Sequence, residues 1–155
     1  MSGGRTPGAY ILLLRLDKDE DITVGKLGPA RFPRGAYAYV GSAMGGLEAR
    51  VRRHLDGGER KHWHIDHLSE VASGREALLF PSDEDRECTL NAMVATLPES
   101  RIVLKGFGSS DCRCITHLHL LSAKGEELLR GMPGPRMRPS KARPDQGPEN
   151  NIAPF

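Results

Sequence analysis

The sequence predicts an α+β fold: a small, mainly antiparallel sheet of three N-terminal strands plus later strands, flanked by helices and followed by a disordered C-terminal tail. Two observations favour this class. Three strand-like segments come first and are joined by short turns, which is typical of antiparallel pairing. Apolar residues at helical spacing then appear between further short strand-like segments. A chain of 155 residues without an internal repeat is expected to form one compact domain.

The three N-terminal strands differ in their patterns. Residues 9–16 form an apolar run, residues 22–27 form a second short apolar run, and residues 35–41 alternate with period two. The charged segment 17–21 and the segment 28–33, which contains glycine and proline, are predicted to be the turns between these strands.

The first helix is predicted after the glycine pair at 45–46, and the pair at 57–58 ends it. Arg50 and His54 lie one turn apart on a stripe that borders the apolar face of this helix. The apolar face consists of Leu47, Val51 and Leu55.

Five later segments complete the predicted domain. Helices are expected over 65–72 and 83–97, and strands over 76–80, 101–104 and 117–121. The second of these helices has acidic residues in its first turn, where the helix dipole favours them.

The tail, residues 131–155, differs in composition from the body, residues 1–130. It holds six of the eleven prolines and few apolar residues, so burial cannot offset the entropy lost on ordering it. It also supplies the whole formal net charge of +2, and a basic arm that touches nucleic acid is the alternative to simple disorder. Its charged residues are Arg136, Arg138, Lys141 and Arg143, against Asp145 and Glu149.

Composition also limits the class of protein. No run reaches the roughly 18 apolar residues that cross a bilayer, and residues 1–6 are not followed by the apolar segment of a signal peptide. Three cysteines, an odd count in a chain that needs no disulfide, favour reduced thiols and a cytoplasmic location. Because residues 1–130 are balanced in charge, a nucleic-acid function needs local evidence.

Local evidence comes from motifs that follow one another in order. Gly-Ala-Tyr at 8–10 begins the first strand, Tyr-Val-Gly-Ser at 39–42 ends the third, and Leu-Glu-Ala-Arg-Val-Arg-Arg-His at 47–54 lies on the helix. Together these motifs resemble those of the GIY-YIG nuclease family. The two tyrosines lie further apart than in the short hairpin typical of that family, so residues 22–27 are expected to form an added strand.

Three further segments resemble the Uri superfamily branch of endonucleases within that family. They are Gly-Ser-Ala-Met-Gly-Gly-Leu-Glu-Ala-Arg at 41–50, His-Trp-His-Ile-Asp at 62–66, and Gly-Phe-Gly-Ser-Ser-Asp-Cys-Arg-Cys at 106–114. The resemblance covers nearly the whole body of the chain.

The resemblance implies an endonuclease that hydrolyses phosphodiester bonds in DNA with one divalent ion, Mg²⁺ or Mn²⁺. It implies that Tyr10 or Tyr39 assists the attacking water, that Arg50 contacts the phosphate, and that His54 positions groups or relays a proton. It further implies that Glu87 is both a catalytic residue and the metal ligand.

These residue types suit that chemistry. The Arg50 guanidinium can meet two phosphate oxygens at once, and one carboxylate suffices for Mg²⁺, which keeps most of its waters. The carboxylates at 83–85 compete with Glu87 for this role. A phenol with a pKa of about 10 is a poor base, so this mechanism needs either a lowered phenol pKa or a proton relay helped by nearby positive charge, for which Arg50, Lys26 and the metal are the candidate sources.

Candidate substrate-binding residues lie on the first helix and around the motifs. The basic set expected to follow the nucleic acid is Arg52, Arg53, Arg60 and Lys61. The remaining candidates are Ser42, Asp111, Arg113 and Asn91.

Two other functions stay open. One is an inactive nucleic-acid-binding module on the same scaffold. The other is a small zinc-binding interaction domain, because Cys112, Cys114, His117 and His119 offer four nitrogen and sulfur ligands in one short segment. One extended segment closes a tetrahedral site with difficulty, so these histidines can instead share a strand face while the cysteines pack.

Overall fold

The computed structural model of the chain describes residues 6–57, 64–109 and 112–140. The elements are β1 (Gly8–Leu16), β2 (Glu20–Thr23), β3 (Pro29–Phe32), β4 (Gly35–Ser42), α1 (Leu47–Asp56), α2 (His64–Val71), β5 (Gly74–Pro81), α3 (Glu87–Ala95), β6 (Arg101–Ile102), β7 (Leu118–Leu121), α4 (Ala123–Arg130) and β8 (Arg136–Met137). The predicted α+β class is confirmed. Within the described ranges, no helix combines the length and the apolar character needed to cross a membrane.

Six strands form one antiparallel sheet in the order β6-β7-β4-β1-β5-β8. The central strand β1 pairs with β4 on one side and β5 on the other. In the β1–β4 register, Ala9 lies opposite Ser42 and Tyr10 lies opposite Gly41. The beginning of β1 and the end of β4 therefore meet at the same end of the sheet.

Both faces of β1 are buried, which explains why its sequence is an almost unbroken apolar run. Tyr10, Leu12 and Leu14 face the core on the side of α1 and α2. Ile11 and Leu13 face the core on the side of α3 and α4. The apolar face predicted for α1 is buried in the first of these cores.

The segment between β1 and β4 differs from the prediction. Residues 28–33 were expected to form a turn, but residues 29–32 of that segment form β3, which pairs with β2 in a separate two-stranded sheet. Only the beginning of the expected strand 22–27 is extended, because the chain then turns through a 3-10 helix, Gly25–Leu27. The insertion is thus a hairpin beside the main sheet, which lets β4 pair directly with β1.

The helix predicted over 83–97 begins later, at Glu87. The Ser82 hydroxyl accepts a hydrogen bond from the Glu84 amide, and the Asp85 carboxylate accepts one from the Glu87 amide, each at 3.1 Å. These local side-chain bonds satisfy backbone donors outside a helix. Glu87 consequently stands in the first turn of α3.

The predicted boundary of the disordered tail is too early. Residues 136–137 form β8 on the free edge of β5, with Met137 opposite Ala77. The helix α4, which the sequence analysis did not predict, precedes this segment, and the Ser122 hydroxyl caps it by accepting the Gly125 amide at 3.0 Å. The remainder of the predicted tail, residues 141–155, lies outside the described residues.

A buried carboxylate joins this C-terminal segment to the body. Glu76 of β5 is 2% exposed, and its oxygens lie 3.1 Å from Arg130, 3.5 Å from Arg138 and 3.8 Å from Arg136. An anion this deeply buried needs such partners, because desolvation of an unpaired charge is costly.

We expect Glu76→Gln to lower the free energy of unfolding by about 2–4 kcal/mol, because it leaves three guanidinium groups without their shared anion. The value lies below that of a fully buried pair because the arginines are partly exposed. Urea denaturation measures the loss. Glu84→Gln, which removes an exposed carboxylate paired with Arg86, is the matched control and should change stability little. Equal stability of the two variants would contradict the anchoring role of Glu76.

Candidate functional site

The candidate site lies where β1 begins and β4 ends, between α1 and α3. Tyr10 of β1 and Tyr39 of β4 point to the α1 side of the sheet, with ring centroids 6.4 Å apart. The ring of His54 from α1 packs against both, at 5.3 Å from Tyr10 and 6.4 Å from Tyr39. The sheet register and the helical spacing thus bring together three of the predicted catalytic residues.

Tyr10 and His54 form a buried hydrogen bond. The Tyr10 hydroxyl lies 2.7 Å from His54 Nε2, and the other ring nitrogen, Nδ1, lies 3.7 Å from a carboxylate oxygen of Asp66 on α2. An acid–histidine–tyrosine series of this kind can pass a proton from the phenol to the imidazole.

Gly41 makes room for this arrangement. A Cβ atom at position 41 would lie 2.5 Å from both the Cζ and the hydroxyl oxygen of Tyr10. The glycine of the Tyr-Val-Gly motif is therefore required for steric reasons, because the Tyr10 ring lies directly over the backbone of β4.

Neither phenol is poised as a base. Burial raises the pKa of Tyr10 and of Tyr39 well above the ordinary value for tyrosine. The Glu87 charge raises both values, and the Arg50 charge lowers both without offsetting burial. Lys26 lies exposed on the 3-10 helix. Of the two routes expected for the phenols, a lowered pKa does not agree with these shifts, whereas a proton relay stays open; both tyrosines are protonated at neutral pH.

Arg50, Ser42 and Glu87 meet beside the tyrosines. The Arg50 Nη1 donates to the Ser42 carbonyl at 3.3 Å, and the Ser42 hydroxyl donates to Glu87 Oε1 at 3.0 Å. Ser42 thus links the arginine of α1 with the carboxylate of α3. The carboxylate predicted from the third helix reaches this end of the sheet, whereas Asp83, Glu84 and Asp85 precede α3 and are exposed.

The Glu87 carboxylate is ionised and partly accessible. Partial burial raises its pKa, but hydrogen bonds from His117 and Ser42 and the charges of His117 and Arg50 bring the pKa below the ordinary value. Its side chain is 25% exposed. A partly exposed carboxylate has lone pairs left for a hard divalent cation, so the residue fits the metal-ligand role.

His117 lies behind Glu87. Its Nδ1 lies 3.1 Å from Glu87 Oε2 and 2.9 Å from the Val40 carbonyl, and its Nε2 lies 3.3 Å from the Cys112 sulfur. Burial lowers the pKa of His117, but its contacts with Glu87, Val40 and Cys112 raise it to about 9. The sequence indicated either a zinc ligand or a strand-face residue at this position, and the contact of His117 with Glu87 was not predicted.

Cys88, Cys112, Cys114 and His117 form a cluster that can hold a metal ion, with ligand atoms within 4.8 Å of one another. The predicted zinc set was wrong in one member, because Cys88 from α3 takes the place of His119. The three cysteines are free thiols. Cys88 directly follows Glu87 in the sequence, but no spacing rule connects it with the distant Cys-x-Cys segment.

His119 and Asn91 form a hydrogen bond with each other, so His119 does not take part in the cysteine cluster. His119 Nε2 lies 2.7 Å from the Asn91 amide oxygen, and the Asn91 amide nitrogen donates to the Thr116 carbonyl at 2.9 Å. Burial lowers the pKa of His119 to about 4, so its ring is neutral. Asn91 is 5% exposed, which does not fit the substrate contact predicted for it.

The predicted substrate-binding residues have different positions. Arg52 donates to the Arg138 carbonyl at 2.7 Å and contacts Asp56, so it holds the C-terminal segment rather than pointing at the candidate site. Arg53 is half-buried on α1, and Arg113 is exposed on the loop before β7. The other predicted contacts, Asp111, Arg60 and Lys61, lie outside the described residues.

Asp66 was missed as a site residue, although it belongs to the His-Trp-His-Ile-Asp motif. It lies in the first turn of α2, and its side chain is 15% exposed. His64 of the same motif accepts the Gly108 amide at 2.9 Å, and its ring packs on Phe107. This motif therefore supports both His54 and the loop that leads to the cysteine cluster.

The fold and the site define a class of protein: a small α+β domain with two tyrosines, a histidine, an arginine and a carboxylate at one end of its sheet. The family model described as Domain of unknown function DUF123 matches residues 9–131, and the chain belongs to this family. No curated protein and no solved structure matches the chain.

Gly41→Ala should destabilise the protein by about 1–3 kcal/mol, because its methyl group displaces the Tyr10 ring from His54. Thermal or urea denaturation measures the loss. Gly45→Ala is the matched control, since a Cβ at that position meets nothing within 4 Å and its backbone has an ordinary φ. If both variants unfold at the same denaturant concentration, Tyr10 does not occupy the space over Gly41.

Proposed function

We propose that the protein is a GIY-YIG-type endonuclease of the Uri superfamily branch, which hydrolyses phosphodiester bonds in DNA with one divalent ion, Mg²⁺ or Mn²⁺. The observation that carries this proposal is the position of Glu87. Its carboxylate bonds to Ser42 next to Arg50, and its charge acts on both Tyr10 and Tyr39. An accessible, ionised carboxylate beside an arginine and two phenols supports metal-assisted hydrolysis of a phosphate ester.

Proton transfer would run through Tyr10 and His54. The protonated Tyr10 hydroxyl bonds to His54 Nε2, so the phenol oxygen can accept a proton from an attacking water while its own proton passes to the imidazole. The raised phenol pKa suits this relay, because the tyrosine never has to exist as a free phenolate. Asp66, near Nδ1, stabilises the imidazolium that forms.

Arg50 and Tyr39 would position the phosphate. The Arg50 guanidinium bonds to the Ser42 carbonyl and acts on the Tyr10 hydroxyl, and a guanidinium binds two phosphate oxygens with fixed geometry. The Tyr39 hydroxyl is protonated and can donate to a third oxygen. Glu87 would hold the divalent ion, which when bound would supply positive charge to stabilise the leaving oxygen.

Purified protein with Mn²⁺ or Mg²⁺ should nick labelled DNA, and Glu87→Gln should reduce the rate by about 100-fold or more because the neutral amide loses the metal. The matched control is Glu84→Gln, an exposed carboxylate just before α3, which should cleave like wild type. Undiminished cleavage by Glu87→Gln would contradict the metal-ligand role. Salt-sensitive DNA binding without cleavage by the wild type would instead indicate an inactive binding module.

Tyr10→Phe should lower the cleavage rate constant by about 10²- to 10⁴-fold, because it removes the oxygen that relays the proton. Tyr37→Phe is the matched control, because it also removes a tyrosine hydroxyl. The Tyr37 hydroxyl lies on β4 and donates to the Pro33 carbonyl, away from the site. The two variants are compared by their single-turnover cleavage rates, measured at a temperature where circular dichroism shows that both are folded. Equal rates for the two variants would remove Tyr10 from the mechanism.

A further inference from the structure

The cysteine cluster connects two parts of the fold that the main sheet leaves apart. Cys88 lies in the first turn of α3, and Cys112, Cys114 and His117 lie on the loop that leads into β7. Their four ligand atoms all lie within 4.8 Å of one another. Adjacent ligands of a tetrahedral zinc site with zinc–sulfur bonds of about 2.3 Å are roughly 3.8 Å apart, so small side-chain rotations complete the site.

The donor set selects the metal. Three thiols and one imidazole are soft and intermediate donors, which prefer zinc to the hard cations Mg²⁺ and Mn²⁺. Four protein ligands leave no open coordination position, which is typical of structural rather than catalytic zinc. Zn²⁺ displaces the thiol protons into solvent and is bound by thiolates.

The hydrogen bonds of His117 leave the correct nitrogen for the metal. Nδ1 faces two acceptors, the Val40 carbonyl and Glu87 Oε2, and therefore carries the proton. When a metal binds, Nε2 gives up its proton to solvent, and its lone pair then points to the cysteine side, where the Cys112 sulfur is 3.3 Å away. Metal-ligating histidines usually donate their other N–H to a carboxylate or backbone carbonyl, and His117 has both.

The backbone around the cluster is closed at its base. The Gly106 amide donates to the Ile115 carbonyl at 2.7 Å, and the His117 amide donates to the Phe107 carbonyl at 2.8 Å. Above this closure the described side chains contribute little burial: Ile115 is 59% exposed and Arg113 is exposed. A metal crosslink would supply the stability that this end of the loop does not obtain from apolar packing.

We propose that Cys88, Cys112, Cys114 and His117 bind one Zn²⁺ ion, which crosslinks the loop before β7 to the start of α3 and holds the Glu87 carboxylate in place through His117. The second half of this proposal rests on the proposed nuclease function; the first half does not. His117 is thus a positioning residue, with one nitrogen on the zinc and the other on the carboxylate.

Metal analysis of the full chain, purified under reducing conditions without a metal-affinity step, tests the site directly. We expect about one zinc per chain. Removal of zinc with a chelator should make all three thiols reactive toward Ellman's reagent, and Co²⁺ added to the metal-free protein should give the visible bands of a tetrahedral thiolate site. Stoichiometric iron, a disulfide between these cysteines, or thiols that react fully without chelator would each overturn the zinc assignment.

Variants identify the ligands. Cys88→Ser, Cys112→Ser and Cys114→Ser should each lower the zinc content at least about tenfold. His67→Ala, a histidine of α2 outside the cluster, is the control and should retain the metal. Should a cysteine variant fail to fold, the Co²⁺ spectrum and the thiol reactivity of the wild type still decide the proposal.

Cleavage assays test the zinc site separately from its proposed effect on Glu87. Glu87→Gln should lose cleavage but keep its zinc, because the amide oxygen still accepts the His117 N–H. Cys112→Ser should lose zinc and show a lower kcat with little change in KM for DNA, and should need more Mn²⁺ for half-maximal rate. Wild-type kcat without zinc would contradict the link to Glu87, whereas zinc-loaded wild type that never cleaves would contradict the nuclease function alone.

Discussion

The antiparallel pairing of β1 with β4 is the constraint on which the rest of the site depends. It places Tyr10 over Gly41, where only hydrogen fits, and sets Ser42 beside the beginning of β1. A shift of this register by one residue would put Tyr10 and Tyr39 on opposite faces of the sheet, so they could no longer both pack against α1. Because β1 is buried on both faces and paired on both sides, such a shift would disrupt both cores at once.

Around this register, the site combines buried groups that stay neutral with a partly exposed carboxylate that stays ionised. The phenols are desolvated and remain neutral, whereas Glu87 is held ionised by donors and by nearby positive charge. His54 is shared between Tyr10 and Asp66, so the proposed proton path lies in the interior while the proposed metal ligand stays at the surface. Neutral relay groups and a charged ligand can thus operate side by side at neutral pH.

The sequence predicted those parts of the fold that local periodicity determines. Apolar runs located β1 and β5, and helical spacing placed His54 at the border of the apolar face of α1, where the structure buries it. It failed where side chains bond locally to backbone, as before α3, and where the segment containing Pro29 and Pro33 formed a strand rather than a turn. The raised phenol pKa and the approach of Cys88 to the Cys-x-Cys loop depend on tertiary burial and contact, which no sequence spacing expresses.

The short strand β8 has a practical consequence for work with this chain. It covers β5 opposite Ala77 and Leu78, and the same segment supplies two of the arginines around Glu76. A chain shortened at residue 130, where amino-acid composition suggests that the domain ends, would expose the backbone donors and acceptors of β5 as an open sheet edge. Such edges pair with other molecules, so the shortened chain would be prone to aggregate. Expression of the domain should therefore extend at least through Ser140, whose backbone amide and hydroxyl bond to Asp56 at the end of α1.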